Sequence, residues 1–209
     1  METILFQDRA DATEQLIRLI PPLEKTNAIV LGIPRGGVPM AATIAKRLHL
    51  PVDVLLVHKL STPFNPEYAI GAVSLEKTWI DEKSSANEVE IDRSIPAARL
   101  VLQERNKLYR QNKPFPTLTG KTVLLVDDGI ATGRTLLHAI EICQEHRPQA
   151  IWVGVPVSSR DAASRIQPKV DRFLCLHQPD PFISVGQFYK SFPSVSDKEV
   201  VESLQSNDR

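Results

Sequence analysis

The segment Thr122-Val-Leu-Leu-Val-Asp127-Asp128-Gly129-Ile-Ala131-Thr132-Gly133-Arg134-Thr135 restricts the possible folds of this chain more than any other. Thr122 to Val126 form an unbroken apolar or β-branched run bounded by Gly120 and Gly129. Such a run predicts a strand buried on both faces of a parallel sheet. From Arg134 onward, Leu136, Leu137, Ile140 and Ile142 recur near helical spacing. The order is therefore strand, acidic turn, small-residue loop, helix. In open α/β sheets, ligands bind at the carboxyl ends of the strands, where these two carboxylates lie.

A loop of small residues at a helix N-terminus aims several backbone N–H groups at one point, and the helix dipole adds partial positive charge. The loop can thus cradle a phosphate, with Thr132 and Thr135 as further hydroxyl donors. Adjacent carboxylates would repel that phosphate unless they face something else. Ribose hydroxyls and a hydrated Mg²⁺ are the natural candidates. Other nucleotide loops fit badly. Gly129 to Gly133 is one residue short of a Walker loop, with Arg134 where that loop has Lys, and no G-x-G-x-x-G occurs here.

The run Val126-Asp-Asp-Gly-Ile-Ala-Thr-Gly-Arg-Thr135 resembles the phosphoribosyl-pyrophosphate (PRPP) signature of the type I phosphoribosyltransferases. The resemblance implies an α/β fold: an open, mostly parallel five-stranded sheet flanked by helices, with a small hood or lid. It also implies Mg²⁺, and transfer of ribosyl 5-phosphate with loss of pyrophosphate. On this pattern Asp127 and Asp128 hold the ribose hydroxyls and, through water, the metal. Gly129, Ile130, Ala131, Thr132, Gly133, Arg134 and Thr135 bind the 5-phosphate.

The chain has 209 residues, the length of one α/β domain, and 42% of them are hydrophobic, enough for a sizeable core. Residues 1–209 are expected to form one domain, with a core over 28–176, a lid over 60–95 and a C-terminal hood over 177–195. Lys plus Arg and Asp plus Glu both number 25, and this zero net charge argues against non-specific nucleic-acid binding. Cys143 and Cys175 are the only cysteines, which suggests a reducing compartment and two buried small side chains. With no signal-like N-terminus and no apolar run of membrane-spanning length, a cytoplasmic protein is expected. A homodimer is among the assemblies this allows.

Around the central motif, residues 7–24 predict an amphipathic packing helix. Ala28 to Ile33 predict a strand, then Pro34-Arg35-Gly36-Gly37 and a helix from Val38 to Leu48. The glycines admit close backbone approach, and the Arg35 guanidinium suits phosphate oxygens. Beside the PRPP-like motif this turn resembles the family's pyrophosphate loop, which can hold a cis peptide just before the glycine pair. Val52 to Val57 predict a second strand ending at His58-Lys59, and in the family a basic residue there reaches pyrophosphate, the role Lys59 would take.

Two prolines between residues 60 and 68 predict an irregular loop. Ala69 to Leu75 and Lys77 to Ile80 predict a hairpin. The family's mobile lid lies here and excludes water. Glu67 is the one carboxylate between residues 60 and 75: a catalytic base, a partner for Arg35 or Lys59, or a solvated side chain. Ile95 to Gln111 predict a charged helix, Ala150 to Val157 a fourth strand, Arg160 to Ile166 a helix, Asp171 to Leu176 a fifth strand, and residues 196–209 a short helix.

The tail Pro179-Asp180-Pro-Phe182-Ile183 resembles the hood of the 6-oxopurine enzymes, where the Phe stacks on the base. Phe182 is thereby an acceptor-stacking candidate, with a core aromatic as the alternative, and Ile183 would offer backbone groups to the acceptor's edge. Two departures separate this chain from those enzymes. No Lys follows the fourth strand, and Ala131 stands where they carry the Asp that handles the base proton. The expected function is Mg-dependent transfer from PRPP to a nitrogenous acceptor, a nucleobase. The alternative is a non-catalytic sensor of PRPP or a nucleotide on the same fold.

Overall fold

The computed structural model describes residues 4–23, 27–62, 65–75, 77–80, 88–111 and 113–206, and the side chains of 59, 61, 62, 65–69 and 88–90 lie outside that description. Strands β1 (Ala28–Gly32), β2 (Val52–Val54), β6 (Thr122–Val126), β7 (Ala150–Val157) and β8 (Arg172–His177) form one parallel sheet in the order β2-β1-β6-β7-β8. The sheet is thus the open parallel one expected, with the central motif's strand in its middle.

Alternation along each strand sorts side chains to opposite faces. Ile29, Leu31, Val123, Leu125, Val153 and Val155 pack under helices α4 (Arg134–Glu145) and α5 (Arg160–Ile166). Val30, Leu124 and Val126 pack under α1 (Arg9–Leu19) and α2 (Gly37–Leu48), against Leu16, Met40 and Ile44. With both faces covered, the strands need apolar residues at every position, hence the unbroken runs.

From β1 the chain crosses to β2 on one side, and the strands after it, from β6 onward, build out on the other. The boundary between β1 and β6 is therefore a topological switch point, where the loops after both strands diverge and leave a crevice.

A second sheet is antiparallel: β3 (His58–Thr62), β4 (Asn65–Val73) and β5 (Thr78–Ile80), in that order. Leu60, Ile70 and Val73 join a third apolar cluster with Ala98 and Leu102 of α3 (Glu88–Arg110) and Val200 of α6 (Asp197–Gln205). Several boundaries differ from the sequence expectations. The second strand stops at Val54; Leu55 to Val57 are a buried link, so burial rather than pairing accounts for that apolar run. Lys59 accordingly lies in β3, opposite Ala72, rather than at the end of a core strand. The stretch after residue 60 is paired rather than irregular, with register shifts next to Ser61, and such shifts accommodate a proline like Pro66. Helix α3 starts at Glu88, not Ile95, with Pro96 inside it, a residue that in sequence reads as a helix start.

Asp53 of β2 receives the Arg110 guanidinium at 3.1 Å, which ties α3 to the sheet edge. Cys143 is buried and Cys175 half-buried, both free, and burial pushes both thiols up to about 12. Among the described residues no helix is long and apolar enough to cross a membrane.

Candidate PRPP site

Two loops meet at the switch point. After β1, the Ile33 N–H donates to the Val126 carbonyl at 2.9 Å and the Gly37 N–H to the Ile33 carbonyl at 3.0 Å. The Pro34–Arg35 peptide is cis, at the position the resemblance suggests. Neither glycine tolerates a side chain. A Cβ on Gly36 would land on the Asp128 carboxylate, and one on Gly37 on the Val126 carbonyl. The glycine pair exists because the β1–α2 turn runs against the end of β6, and the contact brings Arg35, Gly36 and Gly37 beside the acidic pair.

The Asp128 N–H donates to Asp127 Oδ1 at 2.9 Å. Both carboxylates are half-buried. Burial, and then the negative charge of Asp128, raise the Asp127 carboxyl well above its ordinary range. Burial also raises Asp128, while Arg9 pulls it back down. The Arg9 Nη2 lies 2.8 Å from Asp128 Oδ2. Sequence periodicity assigns α1 a packing role only, so this arginine is a functional candidate that it missed. One basic residue among the polar positions of an amphipathic helix carries no signal of a target 119 positions away.

The next loop is pinned from one side. The buried Ile130 is held by its N–H to the Val157 carbonyl at 2.9 Å and by the Ser159 N–H to its own carbonyl at 2.9 Å. The Ser159 hydroxyl donates to the Ala131 carbonyl at 2.6 Å, and Arg165 Nη2 to the Thr132 carbonyl at 3.1 Å. In a trans peptide the N–H points opposite to its carbonyl. With these carbonyls tied to α5, the N–H groups of Thr132 and Gly133 point away from it. Among the described residues neither meets a protein acceptor. Gly133 then takes a left-handed conformation, φ 74°, as the N-cap of α4. Exposed Ala131 and Thr132, with half-buried Arg134 and Thr135, line this helix entrance. Such an entrance suits an anion by geometry and dipole. Ser159 and Arg165 are supports that the sequence did not single out.

Arg35 is exposed, its Nη1 4.0 Å from Asp197 Oδ1 at the start of α6. The same carboxylate oxygen accepts the Tyr109 hydroxyl, whose pKa is raised by burial and then by that bond. Lys59 and Glu67 have described backbones only, so the roles expected of their side chains lie outside the described residues.

The tail approaches from the other flank. Val185 would collide with a side chain at Gly129, and the Tyr189 hydroxyl donates to the Asp128 carbonyl at 2.6 Å. Phe182 is half-buried, its ring 4.9 Å from that of Phe188 and tilted 53°. The Ile183 side chain is 84% exposed, but its N–H already donates to Gln187 Oε1 at 3.1 Å, leaving its carbonyl as the backbone group for a ligand.

Among the described residues no three His, Cys, Asp or Glu side chains gather as a metal cage. The two adjacent carboxylates suit Mg²⁺ nonetheless, since this hard cation keeps most of its waters and takes one or two carboxylates plus substrate oxygens.

A family model for the phosphoribosyl transferase domain matches residues 3–189. A Mycobacterium tuberculosis (strain H37Rv) protein, provisionally named a phosphoribosyl transferase, is 37% identical over 205 residues, 96% of this chain. The chain spans 46% of that relative's length. A crystal structure of a Thermus thermophilus protein has 35% identity and a TM-score of 0.82, over 97% of this chain and 99% of its own. The purine phosphoribosyltransferase of Pyrococcus horikoshii shares the fold at 17% identity and a TM-score of 0.50, over 88% of this chain and 99% of its own. The family model over residues 3–189 and the 37% identical relative place this chain, with its acidic pair, small-residue helix entrance and glycine turn at one switch point, in the phosphoribosyltransferase family.

Proposed function

We propose that this chain binds PRPP with Mg²⁺ and transfers its ribosyl 5-phosphate to a nitrogenous acceptor, a nucleobase, releasing pyrophosphate. The carrying observation is the contact of Gly36 with Asp128, which leaves no room for a side chain between the two loops. It supports a single ligand that spans both. The N–H groups of the 129–135 loop take the 5-phosphate. Asp127 and Asp128 accept hydrogen bonds from the 2- and 3-hydroxyls. Arg35, with the backbone of Gly36 and Gly37, holds the pyrophosphate, and Lys59 adds a second positive charge there. When bound, Mg²⁺ neutralises charge on the pyrophosphate as it departs.

In the transfer, the C1–O bond breaks and its electron pair leaves with pyrophosphate. A new C1–N bond forms from the acceptor's lone pair, and the acceptor's N–H proton passes to a base or to solvent. Glu67 is the candidate base on this chain, because Ala131 offers none. The lid of β3 to β5 shields the reacting carbon from water, which would otherwise take the acceptor's place. Phe182 supplies an aromatic face for the acceptor, and the carbonyl of Ile183 an acceptor for its edge.

The test is pyrophosphate release from Mg-PRPP across a panel of purine and pyrimidine bases. Release that depends on one base, with the matching nucleoside monophosphate formed, is the expected outcome. Tight Mg-PRPP binding without release for any base would replace transfer with the sensor alternative. No binding at all would overturn both.

A further inference from the structure

Arg9 stands where the N-terminal segment and the tail converge on the acidic pair. The backbones of Phe6 and Tyr189 pair as a parallel bridge, and the Lys190 N–H donates to the Phe6 carbonyl at 2.9 Å. From the first turn of α1, Arg9 sends Nε and Nη2 to one atom, Asp128 Oδ2, at 2.9 and 2.8 Å. Its Nη1 donates to the Pro193 carbonyl at 2.6 Å. The guanidinium lies 3.7 Å from the centre of the Phe192 ring. The side chain is 15% exposed, whereas the exposed pair Arg47–Glu14 has side chains at 58% and 44%. A solvated arginine on a helix face would not be held at every nitrogen, because ordering so long a side chain costs rotamer entropy. Here the fork is fixed by a carboxylate, a carbonyl and an aromatic face at once.

A carboxylate that recognises a diol must present its oxygens in one direction, and Asp128 has a rotatable side chain next to a second negative group. We infer that Arg9 is a positioning residue for the sugar: by gripping Oδ2, it fixes the direction of the Asp128 carboxylate toward the ribose hydroxyls. The inference rests on the PRPP reading above. It also gives the tail a role, since Phe192, Pro193 and Tyr189 hold Arg9 and the Asp128 peptide in place.

The experiment compares ribose 5-phosphate with 2-deoxyribose 5-phosphate, which keeps the phosphate and lacks one hydroxyl. Both are titrated calorimetrically against the wild-type chain, Arg9→Met and Arg9→Lys, with thermal melting of each variant. Wild type is expected to prefer the ribose compound. Arg9→Met should bind it about tenfold more weakly, equivalent to about 1.4 kcal/mol, while the deoxy compound changes by less than about twofold. Arg9→Lys keeps the charge without the fork and should fall between, which also covers a failure of the Met variant to fold. Equal weakening of both sugars would make Arg9 a fold residue and overturn the assignment. An unchanged preference for ribose in a folded variant would overturn it too, leaving the PRPP site intact. Wild type that binds neither sugar nor Mg-PRPP would overturn the site itself.

Discussion

Asp127 and Asp128 are the residues on which the proposed chemistry turns. Changing both to Asn keeps their size and removes the charge that suits Mg²⁺ and the diol. Mg-PRPP affinity should then fall by at least about tenfold, or about 1.4 kcal/mol. An unchanged dissociation constant in the folded double variant would remove them from the site. The same carboxylates should burden the fold. Burial and the charge of Asp128 hold the Asp127 pKa above its unfolded value of about 3.9. Between those two values the folded chain holds the extra proton. The stabilisation is therefore complete below about pH 3.9 and is lost as pH rises through the folded value. Asp127→Asn escapes that loss, and its carbonyl oxygen can still accept the Asp128 N–H. Its melting temperature should exceed wild type at about pH 7 by more than it does at about pH 4, and an equal gap at both would refute the shift. A larger gap at about pH 7 would show Asp127 to be kept at a cost to stability, which fits the binding role proposed for it.

At the scale of elements, the tail has two jobs. Val185 covers Gly129, and Tyr189 bonds the Asp128 carbonyl, so part of it braces the Asp128–Gly129 turn. Phe182 and Ile183 lie further out, one half-buried and one exposed. Phe182→Ala should leave Mg-PRPP affinity nearly intact and weaken a nucleoside monophosphate by about 1–3 kcal/mol, the range of base–aromatic stacking. Equal weakening of both ligands would make the ring a core residue, its packing on Phe188 being the only role left. The Pro-Asp-Pro-Phe pattern of the tail is visible in the sequence. The tail's grip on Asp128 is not, because a tyrosine reads as a generic aromatic until its hydroxyl has a partner.

For the whole molecule, the main sheet and the small one differ in how they are held. β6 is flanked by strands on both sides and lies between the apolar clusters of both faces. β5 is a three-residue strand that, among the described residues, pairs with β4 at the edge of its sheet. Opening β5 exposes little, whereas opening β6 divides the core. Native-state hydrogen exchange should protect the amides of β1, β6 and β7 to near the global limit and those of β5 far less. Equal protection would show one cooperative unit and a small sheet unable to open separately from the core.

The parallel sheet, the acidic pair, the small-residue loop and the following helix were all determined by local sequence. Each depends on patterns within a few residues: continuous apolar runs, adjacent carboxylates, glycine at a left-handed helix cap. The same locality explains what was misplaced. Val54 to Val57 is apolar because it is buried, and only pairing partners decide where the strand stops. Pro96 looks like a helix start because its cost to the helix interior is offset only in the packed structure. Arg9, Ser159, Arg165, Tyr189 and Asp197 carry no local mark. Their work consists of hydrogen bonds or ion pairs to residues reached after the chain has folded back, and tertiary structure alone decides which arginine meets which carboxylate.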